Sequence, residues 1–363
     1  MTVTACRLDD FREVVERVTD PDEYPLAAGV EQNVLIYDDP RLDDALRAEL
    51  VRALQSGPGV VVFRRALAAN PVDGATAAFE EMIASQPSVG DHFAKPGAND
   101  RVWNALQKLA LRAPDVFCHY YASDMIAFVS ATWLGPGYQV TSQVNVVNPG
   151  GAAQVAHRDY HLGFQSAAAI EAYPEHVHAL SPVLTLQGAV AHCDMPLESG
   201  PTLYLPYSQT YLPGYVATSR PEFRDYFAEH RVQLPLAKGD AVFFNPAVFH
   251  AAGANRSSSI RRMANLLQVS SPFGRAMESV DRVAMCNALY PAMLRMPEER
   301  GRRNVVGAAA EGYAFPTNLD RDPPLDGMAP RSQADVVWQA LVERWEPARL
   351  SSELAAHAAR RAA

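Results

Sequence analysis

The stretch Tyr138-Gln139-Val140-Thr141-Ser142-Gln143-Val144-Asn145-Val146 marks the point where the chain changes texture. Val140, Val144 and Val146 alternate with Thr141, Gln143 and Asn145, the period of two that a β-strand imposes on its side chains. Downstream, the pattern predicts further strands at 183–193, 202–205, 231–234, 241–245 and 260–269. Between them lie turn signals such as Glu198-Ser199-Gly200-Pro201, Lys238-Gly239-Asp240 and Ala252-Gly253-Ala254-Asn255. Many short strands joined by polar turns predict a mainly β protein with flanking helices and a jelly-roll core.

Upstream of that stretch the periodicity is helical. Ala45, Leu46, Leu50, Ala53 and Leu54 share one face of a helix, and Gly57-Pro58-Gly59 breaks it before the apolar run Val60-Val61-Val62-Phe63. Further helices are expected over 74–83 and 114–133, giving a helical N-terminal part with one or two early strands. From about Ala276 the chain turns helical again as a C-terminal extension. Ser332-Gln333-Ala334-Asp335 there reads as a capping box, followed by Ala334, Val337, Trp338, Leu341 and Trp345 on one face. The Ala- and Arg-rich end, 354–363, reads as a frayed helix or a disordered tail. With no internal repeat and no break in composition, 1–363 reads as a single domain, its core about 60–269 and its extension about 276–363.

A hydrophobic content of 48% is ample for one large core. The net charge of −9 argues against nucleic acid or an anionic membrane as partner, because phosphate binding needs clustered Lys and Arg. A small molecule is the expected ligand, and oligomeric state is not legible. Cys6, Cys118, Cys193 and Cys286 lie far apart without a CxxC pair, so neither a disulfide framework nor a zinc ribbon is expected. No apolar run approaches the roughly 18 residues of a membrane span, and the first residues lack a signal pattern. The expected location is the cytoplasm.

His157-Arg158-Asp159 follows the turn Asn148-Pro149-Gly150-Gly151. On a strand, His157 and Asp159 point to one side and Arg158 to the other. His250 comes about ninety residues later, just past the turn and apolar strand Lys238-Gly239-Asp240-Ala241-Val242-Phe243-Phe244-Asn245. Two imidazoles and a carboxylate can cap one face of an octahedral Fe(II), leaving the opposite face for substrate and O₂. Eleven residues on, Arg261 falls on the next expected strand. A guanidinium inside a β barrel needs an anion, and a carboxylate matches it bidentately; the competing reading is a salt bridge to one of the acidic side chains.

His157-x-Asp159, the segment Gly200-Pro201-Thr202-Leu203-Tyr204-Leu205-Pro206-Tyr207-Ser208, the turn Lys238-Gly239-Asp240, His250 and Arg261 together resemble the phytanoyl-CoA dioxygenase family. The likeness covers roughly 60–269. It implies a double-stranded β-helix core and an Fe(II)- and 2-oxoglutarate-dependent oxygenase that also consumes O₂. It further implies that His157, Asp159 and His250 bind the iron and that Arg261 anchors the distal carboxylate of 2-oxoglutarate. Halogenating members have a small residue in place of the carboxylate ligand, so Asp159 implies hydroxylation or a related oxidation, with release of succinate and CO₂. Many relatives carry a hydroxyl residue two positions after the second histidine, where this chain has Ala252. Thr141 is a candidate replacement.

Thr141, Gln143 and Asn145 form the polar face of their strand, and in a barrel such a face can line the site; the family places an amide or hydroxyl there against 2-oxoglutarate. His161 is expected beside the metal or the substrate, since a fourth protein ligand would block a position that O₂ or 2-oxoglutarate needs. His176-x-His178 is expected on a surface loop, and His192 as a core histidine or a pocket wall. Asp91-His92-Phe93-Ala94-Lys95 with Arg101 and Trp103 reads as a loop over the site, with Lys95, Arg101 and Trp103 as candidate substrate contacts. The alternative function is a cupin-like metal-dependent isomerase or hydrolase that uses no 2-oxoglutarate, in which Arg261 would be structural.

Overall fold

The computed structural model describes residues 6–86, 97–325 and 327–362. Among them the strands are β1 Gly29–Glu31, β2 Val34–Asp38, β3 Val60–Arg64, β4 Asn99–Val102, β5 Gln139–Val147, β6 Thr185–Ala191, β7 Leu203–Leu205, β8 Val232–Gln233, β9 Ala241–Phe244, β10 Phe249–Ala251 and β11 Arg262–Ser270. Eight build one mixed sheet in the order β1-β2-β3-β9-β6-β11-β5-β4, and three build a smaller one, β10-β7-β8. Within the large sheet only the pair β2 and β3 is parallel. The helix Asp44–Gln55 makes that crossover, capped by Asp43, whose carboxylate accepts from the Ala45 and Leu46 amides.

Directly opposed residues of antiparallel strands share a face, so the register sorts the large sheet into two layers. On the outer face Val140, Val144, Val146, Leu186, Val190, Phe243, Met263, Leu267 and Val269 form one buried core with the flanking helices. Those helices include Ala69–Ala84, Ala105–Arg112, Pro114–Tyr121, Asp124–Leu134 and Arg282–Arg295. On the inner face Val34, Ile36, Val60, Val62, Val242 and Phe244 pack against Tyr204, Leu234 and Val248 of the smaller sheet's side. Toward β11 and β5 the inner row turns polar. Arg101 stands opposite Asn145, Asn145 opposite Ala264, and Gln268 opposite Gln187. A cavity of about 580 Å³ opens there between the two sheets.

The predicted strands hold to within a few residues of their ends; the N-terminal part carries three early strands, β1 to β3, rather than one or two, and β4, a polar edge strand, and β10 are additional. The helix expected over 114–133 is two, interrupted at Ala122-Ser123, where the Ser123 hydroxyl caps the second by accepting from the Ile126 amide. The capping box at Ser332 and Asp335 is present, with both reciprocal hydrogen bonds made. The end of the chain corrects the expectation of a frayed tail. Pro347–Arg361 is a helix that buries Leu350, Leu354 and His357, and His357 Nε2 bonds the Arg331 carbonyl at 3.0 Å. His178 is also corrected: it lies in the helix Glu175–Leu180 and is buried against the Ile170 carbonyl. No helix among the described residues is long and apolar enough to cross a membrane.

Candidate metal centre

His157 and His250 meet through backbone pairing. The His157 amide donates to the His250 carbonyl at 3.0 Å and the reverse bond is 3.1 Å, an isolated antiparallel bridge that extends the smaller sheet by one position. Opposed residues share a face, so the two rings end up side by side, centroids 4.5 Å apart. Asp159 follows two residues on, its amide held by the Pro246 carbonyl at 3.0 Å. One ligand atom from each of the three lies within 4.8 Å of the others.

Each imidazole is oriented by its own chain. His157 Nδ1 lies 2.8 Å from the Val155 carbonyl, and His250 Nδ1 lies 2.9 Å from that of Val248. A carbonyl can only accept, so Nδ1 carries the proton in both rings and each Nε2 keeps a lone pair directed at Asp159. The Nε2 atoms are 3.6 Å and 3.5 Å from Asp159 Oδ1 and Oδ2. Gln187 Nε2 donates to Oδ2, whereas Oδ1 is buried and has no hydrogen-bond partner among the described residues. A buried carboxylate oxygen without a hydrogen-bond partner among the described residues, set beside two imidazole nitrogens, fits a divalent cation. Burial, helped by His250, lowers the His157 imidazole below its usual range against the pull of Asp159. Burial pushes the Asp159 carboxyl up, but His250, His157 and Gln187 outweigh it and hold it at about 2. Both shifts favour the unprotonated, metal-competent forms.

Arg158 points away from this cluster, as strand alternation requires. It is fully buried, donates to the Ser208 and Tyr211 carbonyls, and lies about 5 Å from the Tyr215 and Phe249 rings. Gly214 makes room for it: a Cβ there would stand 1.9 Å from the guanidinium carbon. Arg158 thereby pins the His157–Asp159 segment to the 208–211 segment that follows β7 and to Phe249 of β10. Neither contact is legible in the sequence, because the partners lie about fifty residues away.

Arg261 requires a correction. Its guanidinium bonds Glu80 at 2.8 Å and Asp100 at 3.3 Å on the partly exposed outer side. Its neighbour Arg262, in phase with Ala264, Leu266 and Gln268, lines the cavity instead. Arg262 is buried, bonds the Gly253 carbonyl at 3.3 Å, and forms no ion pair with an acidic side chain of the described residues. Burial lowers it only to about 10, so it remains a cation at neutral pH. One residue on a strand is the difference between faces, so Arg262 and not Arg261 faces the cavity.

The polar positions divide as well. Gln143 and Asn145 line the cavity, Gln143 accepting from Arg101 at 3.1 Å and reaching Gln268 at 3.4 Å. Thr141 does not line it, because its hydroxyl donates to the Gln268 carbonyl at 3.0 Å. Thr202 is the one hydroxyl side chain among the described residues that line the cavity, which Arg262 and Ala252 line too. It is carried there by the turn at Gly200, whose φ of +73° and contact with Ala254 leave no space for a Cβ. Arg101 and Trp103 line the cavity, the guanidinium 4.8 Å from the indole. His161 is corrected: it turns toward the Arg275 carbonyl at 3.3 Å and lies outside the wall. His192 belongs to the core on the outer face, bonded to Thr76 and Tyr120. Lys95 and the run from Asp91 lie outside the described residues. Gln187, Thr202 and Arg262 are the residues that sequence reasoning missed; the alternation within β6 and β11 is the signal that could have found Gln187 and Arg262.

Over residues 56–263, more than half of the 363, the sequence matches the family model described as phytanoyl-CoA dioxygenase. Among solved structures it is similar to the non-heme alpha-ketoglutarate-dependent epimerase SnoN from nogalamycin biosynthesis. Identity is 22%, coverage is 63% of this chain and 85% of that one, and the TM-score is 0.47. The carbocyclase SnoK, also alpha-ketoglutarate-dependent and from nogalamycin biosynthesis, is 23% identical over 62% of this chain and 83% of that one, with a TM-score of 0.45. No curated protein matches the chain.

Proposed function

The chain belongs to the phytanoyl-CoA dioxygenase family and uses that family's Fe(II) and 2-oxoglutarate, and from this premise we propose that it is a dioxygenase hydroxylating a small molecule with release of succinate and CO₂. The observation that supports the reading best is the pairing of an acid-and-imidazole cluster with a buried guanidinium, that of Arg262, which forms no ion pair with an acidic side chain of the described residues, in the same cavity. In this reading the whole chain is one cytoplasmic oxygenase domain built on a double-stranded β-helix.

His157, Asp159 and His250 would hold the iron through Nε2, Oδ1 and Nε2. When bound, iron and 2-oxoglutarate supply an O₂-derived oxidant able to attack a C–H bond. The chain's own side chains set the conditions for that chemistry. Val155 and Val248 hold the imidazole tautomers, and Gln187 occupies Oδ2 so that Oδ1 is the oxygen left free. Arg262 offers a desolvated cation for the distal carboxylate of 2-oxoglutarate, with Thr202 in the role left empty at Ala252. Gln143 and Asn145 present amides to the rest of the co-substrate. A carboxylate at position 159 supports hydroxylation over halogenation.

Anaerobic addition of 2-oxoglutarate to the Fe(II)-loaded protein tests the site, a weak visible absorption being expected for the chelate. A succinate-release screen against amino acids, acyl-CoAs and secondary metabolites then tests the reaction. A product heavier by one oxygen supports hydroxylation, and turnover that yields an isomer or a ring closure overturns it.

A further inference from the structure

Beside the metal cavity lies a second one of about 440 Å³. The two share Gln154, His157 and Phe164, so this groove adjoins the metal cluster on its His157 side. Its floor is apolar, formed by Val155, Ala156, Phe164, Ala167 and Ile170, and Val155 and Phe164 are 60% and 46% exposed. Large side chains left that open on a concave surface mark a place where something apolar docks.

The rim states the polarity of the occupant. Thr218 and Ser219 spend their hydroxyl protons on the Tyr215 and Val216 carbonyls, which leaves Arg224 as the charged donor of the rim. Arg224 uses Nε on the Thr218 carbonyl, and its guanidinium makes no ion pair with an acidic side chain among the described residues. Across both cavities the described walls contain one acidic side chain, Asp159, against three guanidinium groups, Arg101, Arg262 and Arg224. A cationic amine has no counter-charge in the groove, whereas an anion has one at Arg224.

We propose that this groove is the distal part of the substrate site and takes a bulky apolar molecule bearing a carboxylate, with the carboxylate at Arg224. The proposal rests on the reading of the adjoining cavity as the iron and 2-oxoglutarate site. A five-carbon co-substrate leaves much of the first cavity open, and the two volumes together suit a ligand of drug-like size, for which pockets run roughly 300–1,000 Å³.

The test uses the full chain loaded with Zn(II) and saturating 2-oxoglutarate, with naphthalene-2-carboxylate and the cationic isostere naphthalen-2-ylmethylammonium as probes. Saturation-transfer NMR and calorimetry read binding in the native protein, Ala167→Trp, which fills the groove, and Arg224→Glu, which reverses its charge. The carboxylate should bind the native protein and weaken by roughly tenfold or more in both variants, a factor equivalent to about 1.4 kcal/mol. The ammonium should bind only Arg224→Glu. Carboxylate binding that is absent from the native protein, or unchanged in a variant that still binds 2-oxoglutarate, overturns the proposal, as does equal binding of the two probes. Failure of 2-oxoglutarate to bind the native protein sinks the reading of the metal cavity instead.

Discussion

The two faces of the eight-stranded sheet are made from the same strands and do opposite work. The outer face carries Val144, Val146, Phe243, Leu267 and Val269 into a dense core with the helices. The inner face, one residue out of phase, carries Gln143, Asn145, Gln187, Arg262 and Gln268 into a cavity. Stability is therefore concentrated on the helix side, where each buried side chain contributes on the order of 1.5–3 kcal/mol. Toward β11 and β5 the inner layer is polar and encloses the cavity, which lets it hold ligands. The lesson is that a polar stripe on a strand need not face water; here it faces the site.

That contrast can be attacked by paired substitutions. The largest effect is expected from Asp159→Ala, which removes the only acidic side chain of the inner wall among the described residues. Succinate formation should fall by roughly a thousandfold or more, while the thermal midpoint moves little; full turnover would break the assignment of the inner face as the site. Phe243→Ala on the outer face should do the reverse. It deletes a fully buried ring packed edge-on to Phe63, at a cost of about 3–5 kcal/mol in denaturant unfolding, with the 2-oxoglutarate requirement of the folded fraction preserved.

Arg262→Ala comes next, raising the 2-oxoglutarate KM by the equivalent of about 2–4 kcal/mol, since a desolvated charge-assisted contact is lost. Gln187→Ala should weaken Co(II) or Fe(II) binding by about 10–100-fold through loss of the Asp159 contact, read by anaerobic titration. The smallest effect is expected at Arg261→Ala, where partly exposed ion pairs to Glu80 and Asp100 are worth no more than about 1 kcal/mol. If Arg261→Ala rather than Arg262→Ala changes the 2-oxoglutarate KM, the division between the two faces is wrong.

Much of this is legible in the sequence. The valine alternation located β5, the Ser332 and Asp335 pair located a helix start, and the His157-x-Asp159 spacing placed two side chains on one side of a strand. The misreadings have a common physical origin in docking. Leu350, Leu354 and His357 recur along one helical face, but whether that face finds a partner depends on residues far away. β4, with its Asn-Asp-Arg-Val sequence, has no strand signature and exists because β5 offers it an edge. His161 is close to the metal ligands in sequence and is turned away by its contact with Arg275.

Residue type and spacing by themselves determined the chemistry: a carboxylate and two imidazoles able to bind a divalent metal, a nearby pair of arginines, and strands of alternating polarity. Local periodicity is enough for that, because it is a property of neighbouring residues. Which arginine enters the cavity, which hydroxyl replaces the one missing at Ala252, and which oxygen of Asp159 stays free were decided only by the tertiary structure. A strand's phase relative to the core is set by its pairing with β5 and β6, and a shift of one residue exchanges every inward side chain for an outward one.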